Sequence, residues 1–202
     1  GTLTLAGSTF TPSDPRAAIR RGLAYVSGDR SRDGVIQGRP ILENVTPIHY
    51  LRQKLFLARP SALAERVKPA LEALHTKFAG LGYPINSLSG GNQQKIVIAK
   101  WLLRDCEVLI FDEPTRGIDV GAKNEIYKLL NALAQQGRAI IVISSELPEV
   151  LRLSHRIAVM CEGRLTGILP GGASQEEIMH LATLRGDAAN QNKQKTAKGE
   201  AK

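Results

Sequence analysis

At 202 residues, 43% hydrophobic and 23% charged, the chain is long enough for one α/β domain with a real core. No apolar run approaches the ~20 residues that cross a bilayer and no secretory leader is visible, so a cytoplasmic protein, or an excised part of one, is expected. The net charge of +8 is a weak pointer to nucleic acid. Four lysines (Lys193, Lys195, Lys198, Lys202) lie in the polar tail, the arginines cluster between Arg16 and Arg39, and aromatics make up only 4%, too few for a base-stacking platform.

In chain order, Thr2 to Leu5 alternates like an edge strand and breaks at Gly7. Ser13-Asp14-Pro15 caps a short helix from Pro15 to Arg21, and Leu23 to Val26 reads as a strand. Ser27 to Gly34 is polar and turn-rich, so a surface loop is expected. Ile41 to Leu57 reads as partly helical, and Pro60 to Leu81 as a second helical region interrupted at Pro69. Ser89 caps a helix from about Gly91 to Arg104, with Ile96, Ile98, Ala99, Leu102 and Leu103 on one face and Trp101 beside them as a packing residue. Val108 to Phe111 is continuously apolar, as in a strand buried on both faces. A helix from Gly121 to Gln136, stopped by Gly137, leads to a second buried strand, Ala139 to Ile143. Then come a short helix (Glu146 to Leu153), a strand (Arg156 to Met160), its hairpin partner (Arg164 to Leu169) and a Ser174-capped helix to about Leu184. The residues after Gly186 are expected to be disordered. Strands separated by helices imply a mostly parallel sheet, with a small antiparallel piece at the start and a helical segment between Arg39 and Tyr83.

Two runs carry chemistry. An apolar strand ending in Asp112-Glu113 holds Asp112 at the carboxyl end of a sheet, where a carboxylate can hold Mg²⁺ directly or through water. Glu113 points elsewhere and can polarise a water attacking a γ-phosphate. Upstream, Ser89-Gly90-Gly91 opens a helix. Its first-turn N–H groups and positive dipole end suit phosphate, and a glycine pair that costs helix propensity needs a reason. Cys106 and Cys161 match no metal spacing and read as buried free thiols. His49, His75, His155 and His180 share no spacing and read as surface or structural residues. Arg116 reads equally as a phosphate contact or as a solvent-facing ion-pair residue.

These residues resemble the ATP-binding cassette (ABC) family. Leu88-Ser89-Gly90-Gly91 is similar to its signature, Leu109 to Thr115 to its Walker B strand, and Gly117-Ile118-Asp119 to its D-loop. Asn92-Gln93-Gln94-Lys95, Thr115 to Lys123, Ser144 to Glu149 and the Asp29-Arg30…Asp33-Gly34 loop resemble the second cassette of bacterial monosaccharide importers of the ribose, galactose, arabinose, xylose and allose type. The resemblance implies an α/β P-loop ATPase fold with a mostly parallel central sheet, a small antiparallel β piece and a helical subdomain at about 40–85. It implies a partial cassette over 1–185, incomplete at its start, before a Lys-rich tail. No Gly-Lys-Ser or Gly-Lys-Thr phosphate loop occurs in the chain, and the resemblance places it before Gly1, so that a sheet of these residues alone has a gap.

The implied cofactors are ATP and Mg²⁺, with Asp112 as the Mg²⁺ residue, Glu113 as the catalytic base, and Ser89, Gly90, Gly91 and Gln93 meeting ATP on a partner cassette. Asp119 belongs to the D-loop. Two positions depart from the family: Ser145 stands where a switch histidine is usual, and Gly28 where the Q-loop carries an amide or, in the nearer relatives, Glu. The implied partners are a second cassette, membrane permease subunits and, indirectly, a periplasmic sugar-binding protein, at the cytoplasmic face of the membrane, without nucleic acid. The chain is then active only as part of an intact transporter. Two other readings use the same residues: a truncated, non-catalytic cassette fragment, and a nucleic-acid-associated cassette protein of the repair or translation type.

Overall fold

Alternating polar and apolar residues at the start of the chain pair as expected. In the computed structural model, which describes residues 2–48, 59–104 and 106–184, Thr4–Leu5 (β1) and Ser8–Thr9 (β2) form an antiparallel hairpin turned at Ala6 and Gly7, both at positive φ. Pro15–Arg20 (α1) is capped by the Asp14 carboxylate, which accepts from Ala17 N at 2.7 Å. Leu23–Val26 (β3) then enters a parallel sheet, whose other strands are Val108–Asp112 (β4) in the centre and Ala139–Ile143 (β5). Tyr25, Ile110 and Ile141 lie abreast across it.

Between β3 and β4 the chain makes a helical insertion. Ile41–Val45 (α2) and Pro60–Ala73 (α3) pack with Gly90–Leu102 (α4) over a core of Ile41, Val45, Leu63, Val67, Leu71 and Ile85. Its two ends are tied at the base: Ile41 and Leu42 N–H groups donate to Tyr83 and Leu81 carbonyls, and Ile85 N–H to Arg39. Buried Asn44 fastens the entry by accepting from Ile36 N–H and donating to the Ile36, Arg39 and Pro40 carbonyls. After β4, Val120–Gln135 (α5) is capped by Asp119 and ended by Gly137 at φ 86.

The residues up to Ile143 form one compact unit and those from Ser144 a second. In the second, Arg156–Cys161 (β6) and Arg164–Pro170 (β7) form an antiparallel hairpin with a bulge at Val159/Met160. Ile157, Val159 and Ile178 form its core, the last from Gln175–Ala182 (α7), which starts with a Ser174–Glu177 capping box. Leu147–Leu153 (α6) lies against that core through Leu147, Val150 and Leu151.

Several expectations are corrected. Arg30–Gly34 is not an open loop but a π-helical turn with Gly34 buried, because Lys100 Nζ donates to the Gly34 carbonyl (2.8 Å) and Gly34 sits on Val97. Pro69 does not interrupt α3. It lies on the solvent face with Glu65, whose carbonyl loses its helical donor and can be hydrated. The helix instead ends at Ala73 because His75 takes the left-handed conformation (φ 48), normally a glycine position. α4 is buried all round from Gln94 to Ala99 rather than on one face, since helices and sheet enclose it. β5 is not buried on both faces: among the described residues it pairs only with β4, and Ile141 and Ile143 are each 49% exposed. Of the two thiols, Cys106 is buried but Cys161 only partly so. The 49–57 part of the stretch expected to be partly helical, His49 and the tail lie outside the described residues. No described helix is long and apolar enough to cross a membrane.

Candidate functional site

The Ser89 turn and the end of β4 belong to the same unit but are built by different neighbours. Ser89 is the N-cap of α4. Its hydroxyl accepts from Asn92 Nδ2 at 3.0 Å and, more distantly, from Asn92 N at 3.5 Å. Ser89 is exposed, Gly90 partly so and Gly91 buried. The amides of Gly90 and Gly91 are first-turn donors, for which a helix supplies no carbonyl. The rest of the motif is anchored inward. Gln93 Nε2 donates to the Leu88 and Ile85 carbonyls and so helps hold the turn. Asn92 Oδ1 accepts from Lys77 N. Lys95, whose side chain is only 5% exposed, donates to the His75 carbonyl and pairs with Glu125 of α5 at 2.6 Å. That bond pulls the Glu125 carboxyl below the ordinary carboxylate range.

Packing explains Gly91. A Cβ on Gly91 would lie 2.6 Å from the Ala122 Cβ, so α4 and α5 touch at this point. A Cβ on Gly90 would lie 3.2 Å from Arg30 Nη2 and 3.4 Å from the Gly117 carbonyl oxygen. Close approach within the molecule therefore accounts for Gly91 before any ligand is considered, whereas the nearest neighbour of Gly90 is the movable end of a side chain.

At the end of β4, Asp112 Oδ2 accepts a hydrogen bond from Tyr25 Oη on β3 at 2.8 Å, which holds the carboxylate's orientation and raises the phenol's pKa. Glu113 takes a left-handed backbone (φ 43), unusual for a non-glycine residue. Its N–H donates to the Ile143 carbonyl at 2.8 Å, so β5 pins the kink, and the side chain leaves the line of the strand. Gly28 packs directly on this kink: a Cβ there would lie 3.1 Å from the Asp112 carbonyl oxygen and 3.2 Å from Glu113 Cβ. Asp119 Oδ1 accepts from Ala122 N at 2.9 Å and so is engaged as a cap. Arg116 is exposed. Ser145 is exposed in the second unit, just before α6. His75, His155 and His180 are all exposed.

Among the described residues no three His, Cys, Asp or Glu side chains converge as a metal site. Asp112 nevertheless fits Mg²⁺: one oxygen is held by Tyr25, the other remains as an acceptor, and Mg²⁺ takes one or two carboxylates beside waters and phosphate oxygens. Tyr25, Lys95 and Arg30 are the neighbours that sequence reasoning missed. Arg30 and Lys95 carried a signal, as parts of the Asp29-Arg30 loop and the Asn92-Gln93-Gln94-Lys95 run; Tyr25 carried none.

Comparison with known proteins agrees with this geometry. A family model described as "ABC transporter" matches residues 1–116. A protein of Burkholderia lata, named as a ribose/galactose/methyl galactoside import ATP-binding protein, is 53% identical over 190 residues, 92% of this chain and 37% of its own length. A protein of the same description from Albidiferax ferrireducens is 52% identical over 194 residues, 94% of this chain and 38% of its own. A ribose import ATP-binding protein of Rubrobacter xylanophilus is 43% identical over 193 residues. The chain thus spans well under half the length of these relatives. Among solved structures, a dimeric ATP-binding cassette in a post-hydrolysis state with ADP and Pi superposes with TM-score 0.69 at 18% identity, over 86% of this chain and 75% of that one. A cassette from Clostridium perfringens, part of an ABC transporter complex, gives 0.67 at 22% identity, over 95% and 75%. These establish the fold: an α/β cassette with a parallel sheet and antiparallel pieces.

Proposed function

This chain belongs to the ABC transporter family, and from that premise we propose that it is part of the second, C-terminal ATP-binding cassette of a monosaccharide importer of the ribose/galactose type. Cassette residues 1–185 and a Lys-rich tail from 186 make up the chain in this reading, with the helical insertion at about 40–85 and the loop at Gly28 facing membrane permease subunits. It works at the cytoplasmic face of the membrane, and a periplasmic sugar-binding protein acts on it only through the permease.

The two halves of its chemistry serve different nucleotides. Ser89 Oγ and the first-turn amides of Gly90 and Gly91 receive the γ-phosphate of ATP held by a partner cassette, where N–H donors and the helix dipole stabilise negative charge. Asp112, oriented by Tyr25, and Glu113 face the chain's own nucleotide. Mg²⁺, when bound, neutralises charge on the phosphate oxygens. Asp112 would hold it, and Glu113 would orient and deprotonate water.

The observation that carries the division is Gly28. Where the family places a Q-loop amide or carboxylate, only backbone lies against Asp112 and Glu113. The chain's own site thus lacks a group that would position water, and hydrolysis there is impaired. The test is sugar uptake by the intact transporter in vesicles. Ser89→Arg, at an exposed residue, should abolish uptake, while Glu113→Gln should leave a substantial fraction. Equal loss in both would refute the asymmetry.

A further inference from the structure

Arg30 lies beside the signature turn, without a partner of its own among the described residues. Its Nη2 is 3.2 Å from the position a Gly90 Cβ would take. Its Nε is shielded from solvent and has no hydrogen-bond partner, and among the described residues the guanidinium forms no ion pair. The carboxylates of its own loop are turned to other tasks. Asp29 accepts from Arg32 N at 3.1 Å, and Asp33 accepts from Ser27 Oγ at 2.9 Å and meets Arg32 at 3.5 Å. Burial lowers its pKa, and a guanidinium stays charged regardless.

The turn that carries Arg30 is held firmly to the helix it faces. Lys100 Nζ binds the Gly34 carbonyl, Gly34 rests on Val97, and Val35 N–H closes the turn on the Arg30 carbonyl at 3.0 Å. The guanidinium is therefore carried on the same rigid body as the first turn of α4. A half-buried, unpaired cation is costly unless an anion completes it. The adjacent donors, Ser89 Oγ and two orphan amides, select the same kind of group.

We propose that Arg30 is a further phosphate-binding residue of the signature turn, supplying a charge-assisted hydrogen bond to the terminal phosphate of a nucleoside triphosphate presented by a partner. The inference rests on the signature turn being a phosphate site. It explains why Gly90 is glycine: a side chain would press on the guanidinium and displace it. Bidentate donors of this kind suit phosphate better than an ammonium does.

The test is titration of the ¹⁵N-labelled 202-residue chain with tripolyphosphate, following the amides of Gly90, Gly91 and Asn92. Wild type should show saturable shifts at these amides that weaken with added salt. Arg30→Met keeps the aliphatic stem, whose Cβ and Cγ lie beside Gly34, and removes the guanidinium; it should weaken binding about tenfold, Arg30→Lys should recover part of it, and Ser89→Ala should also weaken it. Both variants at 30 should keep the wild-type spectrum elsewhere, which separates lost binding from lost folding. Saturable binding in wild type that Ser89→Ala weakens and Arg30→Met leaves unchanged overturns the role of Arg30 and keeps the signature reading. No shift at these amides in wild type overturns both.

Discussion

Replacing Gly91 by alanine separates the packing role of the signature glycines from any role with phosphate. The added methyl would sit 2.6 Å from the Ala122 Cβ, about 1 Å short of a relaxed carbon–carbon contact. Neither group has a rotamer through which to escape, so α4 and α5 must separate. Overpacking of this kind costs about 1–3 kcal/mol. Exchanging glycine for alanine in a helix returns up to ~1 kcal/mol, less in the first turn. A net loss of about 1–2 kcal/mol follows, or roughly 3–6 °C in Tm for a chain of this size. Gly90→Ala is the control. Its new methyl meets the far end of the Arg30 side chain at 3.2 Å, which can move, so stability should hardly change. Urea unfolding of both variants measures the contrast, and adding Ala122→Gly to Gly91→Ala should restore most of the loss, a coupling readable in a double-mutant cycle. If Gly91→Ala is as stable as Gly90→Ala, or Ala122→Gly fails to rescue it, the helix contact is not what excludes a side chain at 91.

Two further outcomes are expected. The Glu125 carboxyl is held below the ordinary range chiefly by the Lys95 hydrogen bond, so its contribution is full above the unfolded value of about 4.3 and is lost as pH falls through the depressed folded value. The stability gap between wild type and Glu125→Gln should therefore narrow between neutral pH and about pH 3, and a gap constant over that range in urea titrations would contradict the pairing. Restoring an amide at the Q-loop position by Gly28→Gln should destabilise the chain by about 1 kcal/mol, because the new Cβ presses on the Asp112 carbonyl and on Glu113 Cβ. Unchanged urea unfolding for this variant would mean that the kink has room for the side chain.

What was legible in the sequence was local. An apolar run ending in Asp112-Glu113 is a strand whichever strands flank it, and Ser89 before two glycines is a helix start on its own chemistry. Asp119 and Ser174 likewise mark caps that the structure forms. What was not legible depends on distant partners. Nothing near Tyr25 announces that its hydroxyl reaches a carboxylate 87 residues away. Nothing in the run Asn92 to Lys95 announces that the Lys95 ammonium is buried between the His75 carbonyl and Glu125. The π-helical turn at 30–34 owes its form to Lys100 and Val97, and its turn residues alone predicted only a loop. The run Ala139 to Ile143 looked like a core strand because apolar content cannot say how many neighbours a strand has.

The signature turn shows how these two kinds of information differ in weight. From sequence, the Gly90-Gly91 pair was read as an opening for phosphate, since nothing local justified its cost in helix propensity. Contact with Ala122 is a sufficient justification for Gly91 from within the fold, while Gly90 meets only the movable end of Arg30 and a carbonyl at ordinary distance. Gly91 then no longer distinguishes a phosphate site from a tight helix crossing. Ser89 and Arg30 do distinguish them. A packing motif has no use for an exposed hydroxyl at a helix start, nor for a guanidinium left without an anion. Perturbing the charge at 30 while keeping its stem, and the hydroxyl at 89 while keeping its backbone, addresses the ligand. Perturbing Gly91 addresses the fold.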